Sequence, residues 1–377
     1  MWLSEKHEKF RMKIREFAES EIEPVSAQID ENAEFPHENI KKLGEMGIMG
    51  MVVPQEYGGT GDDMITYAIA VEELSRVCGS TGITVAAHNS LAVYPLFLFG
   101  NEKQKKKYVP PLARGEKLGA FGLTEPGAGS DAGATKTSAV LKGDHYLING
   151  SKCFITNATV GETLVITART DPGKSAKGIS NFIIEKSMPG VKVGKKENKM
   201  GLRGSDTAEL HFEDARVPRE NLLGKEGEGF KQFLITLDGG RISIGAMALG
   251  IAQGAYEKSL KYAKERVQFG QPITNFQAIQ WKLSDMATQI EAARHLIYAA
   301  AWLKDQGKPY IKESAMAKLY ASEVGRWVTY QAIQILGGYG YLREYPVERY
   351  FRDIKLCEIG EGTSEIQKLV IAREILK

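Results

Sequence analysis

Residues Ala120 to Ala134 read AFGLTEPGAGSDAGA, and the hydrophobic pattern differs on either side of them. Before this stretch, from Ser4 to about residue 119, apolar residues step by three and four, as on the buried face of a helix. Breaks are expected at Pro24, Pro36, VPQEYGGTGDD (Val53–Asp63) and CGSTG (Cys78–Gly82), where proline and glycine interrupt helical geometry. Beyond it the period changes. HYLING (His145–Gly150), CFIT (Cys153–Thr156), TLVITART (Thr163–Thr170), SNFIIEK (Ser180–Lys186) and AELHFE (Ala208–Glu213) are short and rich in β-branched and aromatic residues. Gly, Pro and Asp turns separate them, which implies strands of a small barrel or sandwich. From Phe230 the helical period returns over longer segments. Ile279, Leu283, Met286, Ile290, Ala293, Ile297 and Ala300 form one apolar stripe, and Met316, Leu319, Val324, Trp327 and Ile335 another. Both are expected to be bundle core. The fold class is therefore α+β, with an N-terminal helical domain over 1–119, a central β domain over 120–229 and a four-helix-bundle-like domain over 230–377.

With 43% hydrophobic and 25% charged residues, the 377-residue chain has an ordinary globular composition. A formal net charge of +2 gives no electrostatic basis for binding nucleic acid or an anionic membrane. The basic run EKQKKKY (Glu102–Tyr108) is short and isolated, as at a solvated helix end. Cys78, Cys153 and Cys357 are far apart and form no CxxC pair, so neither disulfides nor a zinc site are expected, and a reducing, cytoplasmic setting is. The six histidines lack metal-ligand spacing, and no metal is expected. The N-terminal segment has no apolar h-region of a signal peptide, and no apolar run is expected to reach bilayer length.

Two glycine-rich stretches can carry chemistry. In the first, Gly127 and Gly129 offer backbone N–H groups free of side-chain obstruction, with the hydroxyls of Thr124 and Ser130 beside them. Such a loop can cradle a phosphate or the edge of a polar ring. Its glycine spacing is not that of a dinucleotide fingerprint, and no βαβ unit surrounds it. The second is EIGEGTSEIQ (Glu358–Gln367), where Glu361 stands between Gly360 and Gly362. Flanking glycines permit unusual backbone angles and close approach of another molecule. A carboxylate held there can act as a base on a ligand; the plain alternative is a solvated turn before the last helix.

FGLTEPGAGSD (Phe121–Asp131) resembles the first signature of the acyl-CoA dehydrogenases. KCFITN (Lys152–Asn157), LDGGRISIGA (Leu237–Ala246), ERVQFGQPITNFQAIQ (Glu265–Gln280), QILGGYGYLREYPVERYFRD (Gln334–Asp353) and EGTSEIQ follow in the family's order. The resemblance spans essentially the whole chain and is strongest to the short-chain (butyryl) and short/branched-chain members. It implies an FAD enzyme that converts an acyl-CoA thioester to the trans-2-enoyl-CoA. In that chemistry a base takes the α proton while hydride leaves the β carbon for the flavin. The thioester carbonyl must share the developing charge, so the site needs donors aimed at its oxygen.

By position, the resemblance makes Glu361 the base and its N–H one carbonyl donor, with a pKa raised by burial against flavin and acyl chain. Members that carry the base on a helix place an acid beside the arginine of LDGGRIS; here that neighbour is Gly240. Asp238 and Arg241 are implied to contact CoA, with Ser130 and Gly362 also at the substrate; the alternative for the first two is a helix-surface ion pair. Implied flavin contacts are Phe121, Leu123, Thr124, Gly129, Ser130, Phe154 and Thr156. Arg266, Phe269, Gln277, Gln334, Ile335, Leu336, Gly337 and Gly338 are implied to grip the pyrophosphate and adenosine from a neighbouring subunit, while Thr363 and Glu365 help hold the cofactor. The implied assembly is a homotetramer, a dimer of dimers with FAD at subunit interfaces, and the implied acceptor is an electron-transferring flavoprotein.

Two positions depart from the family pattern. Phe154 stands where Trp is frequent, a flat apolar exchange. Gly360 stands where many members have Tyr, which either widens the acyl pocket for branched or cyclic groups or marks a variant of the bacterial short-chain enzymes. Tyr339, Tyr341 and Tyr345 are expected to pack around the final helices, and Arg352 with Asp353 to form a structural pair. The rival functions are an acyl-CoA oxidase using O₂ and a catalytically silent flavoprotein.

Overall fold

A computed structural model describes residues 3–377. Helix α1 (Glu5–Phe17) passes through a π-helical turn, Ala18–Ile22, into α2 (Glu23–Asn32). The expected break at Pro24 is absent: the proline opens α2 directly after the π-helical turn, where the Glu23 N–H reaches back to the Ala18 carbonyl and the wider turn takes it in. The N-terminal unit continues through α3 (His37–Glu45), α4 (Met64–Val77), α5 (Gly79–Ala87), α6 (Tyr94–Phe99) and α7 (Glu102–Ala113).

Strands β1 (Gly119–Gly122), β2 (Ser138–Lys142), β3 (His145–Thr156), β4 (Thr163–Arg169), β5 (Ile179–Glu185), β6 (Val191–Lys196), β7 (Thr207–Pro218) and β8 (Leu222–Leu223) build one sheet. Its order is β6-β7-β3-β2-β4-β5-β8, with β1 parallel to β4. The two halves meet through the single pair Ser138–Arg169. Ile148, Leu210 and Phe212 from one half share a core with Leu164, Ile166 and Phe182 from the other, which is sandwich packing. β4 is a continuous apolar run because both faces are covered. Leu164 and Ile166 point into the sandwich, while Val165 joins Val53, Val93 and Leu96 of the helical unit.

Helix α8 (Gly229–Glu265) opens the C-terminal unit. A hairpin of β9 (Val267–Gln268) and β10 (Gln271–Pro272) leads to α9 (Gln277–Asp305), α10 (Ile311–Leu336), α11 (Val347–Asp353), α12 (Lys355–Ile359) and α13 (Ser364–Ile375). α8 contains several glycines, each costing roughly 1 kcal/mol of helix propensity against alanine. Packing explains them. A Cβ on Gly250 would lie 2.2 Å from the Glu72 carbonyl oxygen, and one on Gly254 2.1 Å from that of Arg76. α8 therefore lies backbone against backbone on α4, whose residues are all buried.

That burial takes charges inside with it. Glu73 receives Arg11 at 2.6 Å and Arg15 at 2.9 Å, Arg294 reaches Glu72 at 3.1 Å, and Arg76 reaches Glu257 at 2.8 Å. Burial pushes the Glu72 carboxyl up, but Arg294 and Arg11 outweigh it and hold the group below its ordinary range. These pairs tie α1, α4, α8 and α9 together.

On α9, Met286, Ile290, Ala293, Ile297 and Ala300 are buried as expected, with Ile279 and Leu283 half-buried. The α10 stripe differs from expectation. Val324 and Ile335 are buried as expected, but Met316, Leu319 and Trp327 are only half-buried, and Ala315, Ala317, Lys318, Ala321 and Val328 make up the rest of the buried face. α10 packs so closely on α8 that small residues occupy the contact and the large ones flank it. Arg352 and Asp353 do not pair with each other. Arg352 binds Asp30 and Glu348, whereas Asp353 accepts from the Leu202 N–H at 2.5 Å. Tyr339 and Tyr345 cluster with Tyr262, but Tyr341 is exposed. The expectation about apolar runs also needs correction. The helical segments Gly79–Phe99 and Gly229–Glu265 are long and apolar enough to cross a bilayer, but both are mostly buried inside the protein as core helices.

Gly250→Ala should destabilise the protein by about 1–3 kcal/mol, the usual range for overpacking. Urea unfolding followed by far-UV circular dichroism measures this, and an unchanged midpoint would contradict the close α4–α8 contact.

Candidate active site

A cavity of ≈ 1380 Å³ opens between the sheet and the C-terminal helices. Phe121, Leu123, Thr124, Gly129, Ser130, Phe154 and Thr156 line it from the β unit, and Asp238, Arg241, Glu361, Gly362 and Thr363 from the helical one. A bulge sets the β wall. The pairing of β3 with β7 shifts register between Lys152 and Ile155, and Phe154 takes the left-handed region at φ +59°. Its ring is thrown out of the sheet and left 67% exposed toward the cavity. Lys152 turns the other way, wholly buried, and donates to the Leu123 carbonyl (3.2 Å), Glu125 (2.7 Å) and Thr167 (3.0 Å). Glu125 also accepts the N–H groups of Lys136 and Thr137 at 2.7 and 3.1 Å. This buried pair pins both ends of the glycine-rich loop. A Cβ on Gly127 or Gly129 would meet nothing within 4 Å, so that stretch offers bare backbone.

Opposite lies the turn between α12 and α13. Glu361 sits at φ +52° and Gly362 at φ +90°, a left-handed pair that costs strain at the glutamate. Lys318 donates to the Gly362 carbonyl at 2.7 Å, and Gln367 donates to the carbonyls of Glu361 (3.2 Å) and Gly362 (2.9 Å). The Glu361 side chain lies on α8 at Gly240, where a Cβ would stand 2.0 Å from Oε2. A side chain at position 240 and this carboxylate cannot coexist. Oε2 is shut off from water and, among the described residues, has no hydrogen-bond partner. Burial raises the Glu361 pKa to about 7, against the opposing pull of Lys318 and Arg241. Gly360 also lines the cavity, and a Cβ there would make ordinary contact with Leu356 at 3.5 Å.

Asp238 and Arg241 are bonded at 2.5 Å, but not on the helix surface: Arg241 is 4% exposed and its Nε has no partner among the described residues. Burial raises the carboxyl of Asp238 and lowers the guanidinium of Arg241, each partly offset by the other's charge.

The remaining predicted residues lie elsewhere. Arg266, Ile335, Leu336, Gly337 and Gly338 line a separate pocket of ≈ 410 Å³, with Arg266 stacked 5.5 Å above the Tyr339 ring. Phe269, at the hairpin tip with φ +51°, is 94% exposed. Gln277 and Gln334 are exposed and line neither cavity. Glu365 is exposed in the first turn of α13, and Thr363 caps that helix by accepting from the Ile366 N–H. The sequence-predicted residues thus fall in two separate places on one chain. Sequence reasoning missed Glu125, Lys152, Lys318 and Gln367. The first two and Gln367 lie inside motifs already singled out, and Lys318 is the charged residue on a face of Ser and Ala.

Models of the acyl-CoA dehydrogenase N-terminal, middle and C-terminal domains match residues 4–116, 120–215 and 227–376. The short-chain specific acyl-CoA dehydrogenase of Clostridium acetobutylicum is 55% identical over 375 residues, covering 100% of this chain and 99% of its own. The chain belongs to the acyl-CoA dehydrogenase family. Butyryl-CoA dehydrogenase of Megasphaera elsdenii superposes with a TM-score of 0.97 at 46% identity, covering 100% of this chain and 99% of that one. A chain solved in work on the electron-transferring flavoprotein of Acidaminococcus fermentans gives 0.98 at 52% identity, with the same coverage. The dehydrogenase uses FAD, as its family does. Its residues fit that cofactor: a bare aromatic at Phe154 and open backbone at Gly129 line one cavity of sufficient size.

Infrared difference titration should show a protonated Glu361 carboxyl that ionises near pH 7, and Glu361→Gln should abolish the band. A carboxylate band already complete at pH 5 would contradict the enclosed environment of Oε2.

Proposed function

We propose that this acyl-CoA dehydrogenase oxidises short or short-branched acyl-CoA thioesters, with Glu361 as the base that takes the α proton. The observation that carries this is the unpartnered Glu361 carboxyl, enclosed and poised near neutral pH on the wall of the cavity. A base with a pKa near working pH combines a useful ionised fraction with proton affinity. The Glu361 N–H makes no hydrogen bond among the described residues, which leaves it free to donate to the thioester oxygen. Asp238 and Arg241 hold the CoA portion, and Ser130 and Gly362 border the acyl thioester. FAD, when bound, supplies the two-electron acceptor. Phe121, Leu123, Thr124, Gly129, Phe154 and Thr156 orient its ring, with Thr363 and Glu365 beside it.

Short substrates are supported by the names of the Clostridium and Megasphaera relatives, and Gly360 on the cavity wall leaves space for a branch. The Acidaminococcus structure supports an electron-transferring flavoprotein as acceptor. The separate pocket at Arg266 supports a homotetramer, a dimer of dimers in which Arg266, Phe269, Gln277 and the segment Gln334–Gly338 grip the partner's FAD pyrophosphate and adenosine. Three buried, unpaired cysteines fit a cytoplasmic setting.

Glu361→Gln keeps shape and backbone N–H but removes the proton acceptor. Rapid-mixing reduction by butyryl-CoA should slow by about 10²–10⁴-fold, with binding of a product-like CoA ligand little changed. In the unaltered enzyme the same rate should rise with pH through about 7, since the ionised carboxylate is the active form. Reduction of Glu361→Gln at the unaltered rate would remove Glu361 from the mechanism.

Arg266→Ala should weaken FAD retention and subunit association together. Flavin absorbance after dialysis and sedimentation velocity read the two, and unchanged values would place the adenosine grip elsewhere.

A further inference from the structure

Lys318 stands on α10 beside Ser314, Ala315, Ala317 and Ser322 and is wholly shielded from solvent. Among the described residues its ammonium has one hydrogen-bond acceptor, the Gly362 carbonyl at 2.7 Å. Taking an ammonium out of water for a single neutral acceptor is unfavourable, and an apolar chain of similar length would fill the same space at lower cost. Gln367, equally buried, donates to the carbonyls of Glu361 and Gly362, while its own Oε1 stays unpaired. Two buried donors, from α10 and α13, therefore converge on two consecutive carbonyls beside the cavity. Those carbonyls belong to the residues held at φ +52° and φ +90°.

We propose that Lys318 is the positioning residue of the active site: its ammonium, together with Gln367, holds the Glu361–Gly362 turn so that the carboxylate is presented to the thioester. This rests on Glu361 being the base. Without the two grips, a glutamate next to glycine relaxes out of the left-handed region, and the carboxylate leaves its seat on Gly240.

The charge of Lys318 acts on the same group. Glu361 faces Lys318 from α10, Arg241 (bonded to Asp238) from α8, Tyr67 from α4 and Cys357 from α12, while Glu358 of α12 acts on Lys318 and Cys357. Burial raises the Glu361 pKa, and of these groups the cations Lys318 and Arg241 lower it. Removing the Lys318 charge must therefore move the ionisation of Glu361 to higher pH. Gln367 carries no charge, so its loss loosens the turn without that shift. The two substitutions separate geometry from electrostatics.

Lys318→Met and Gln367→Met holoenzymes are compared with the unaltered protein and with Glu361→Gln. The readouts are FAD content, affinity for a product-like CoA ligand, and flavin reduction by saturating butyryl-CoA over about pH 6–9. Both new variants should keep FAD and bind the CoA ligand. Both should reduce on the order of 10²-fold more slowly at neutral pH, as expected for a misplaced reacting group. Lys318→Met alone should move the acid limb of the rate profile up by about one pH unit. Lys318→Met with an unaltered rate and an unshifted limb, beside a slow Glu361→Gln, overturns this inference and leaves the base intact. A fast Glu361→Gln overturns the base assignment instead. Where Lys318→Met does not fold, Gln367→Met decides: full-rate reduction by it overturns the grip on the turn, and slow reduction with an unmoved limb supports it.

Discussion

Helix α8 can touch its neighbours closely because glycine replaces larger residues at the points of contact. Gly250 and Gly254 bring it onto the backbone of α4, Gly245 lets it lie beside Ile297 and Lys318, and Gly240 makes room for the carboxylate of Glu361. Each glycine weakens the isolated helix, so α8 depends on tertiary contact for much of its stability. The same contacts fix the distance between α8 and the turn that carries the base. Core packing and active-site geometry are thus set along one helix, and a change at Gly240 acts on the site directly.

The buried charges divide into two kinds. Glu72 and Glu73 lie deep in the core but are surrounded by guanidinium groups at hydrogen-bonding distance, and Glu72 is held below its ordinary range. Glu361 is no more hidden, but its nearest cations spend their bonds elsewhere: Lys318 on a carbonyl and Arg241 on Asp238. They reach Glu361 through the field alone, and burial outweighs them. Whether an enclosed carboxylate becomes a structural tie or a group titrating near neutrality is decided here by where the neighbouring cations direct their hydrogen bonds.

Much of this was legible in the sequence, and the exceptions share a cause. The switch of period at Ala120–Ala134 locates the change from helix to sheet because strand and helix patterns are local properties. The two glycine-rich stretches reach one cavity, and their spacing announced exposed backbone. The α10 stripe fails at Met316, Leu319 and Trp327 because a hydrophobic stripe says what could be buried, not how close the partner helix comes. Gly245 of α8, beside the Lys318 backbone, and Gly325, beside the Ala248 carbonyl, set that distance from both sides of the contact. Arg352 and Asp353 are adjacent in sequence yet serve Asp30 and Leu202, partners more than a hundred residues away. The bulge that turns Phe154 outward depends on its register with β7, which no pattern within β3 contains.

Strain at Glu361 follows from the same geometry. A left-handed glutamate costs on the order of 1 kcal/mol or more and persists only where its surroundings over-determine it. Here they do so from three directions: Lys318 and Gln367 hold the carbonyls, Gly240 receives the carboxylate, and the Thr363 cap starts α13 immediately beyond. None of these contacts gives Oε2 a hydrogen bond, and among the described residues it has no hydrogen-bond partner. The turn is therefore held by its backbone while the reactive end of its side chain is left unbonded. A hydrogen bond donated to that oxygen would leave the backbone strain in place but lower the carboxyl pKa, and with it the proton affinity that suits the group to act as a base.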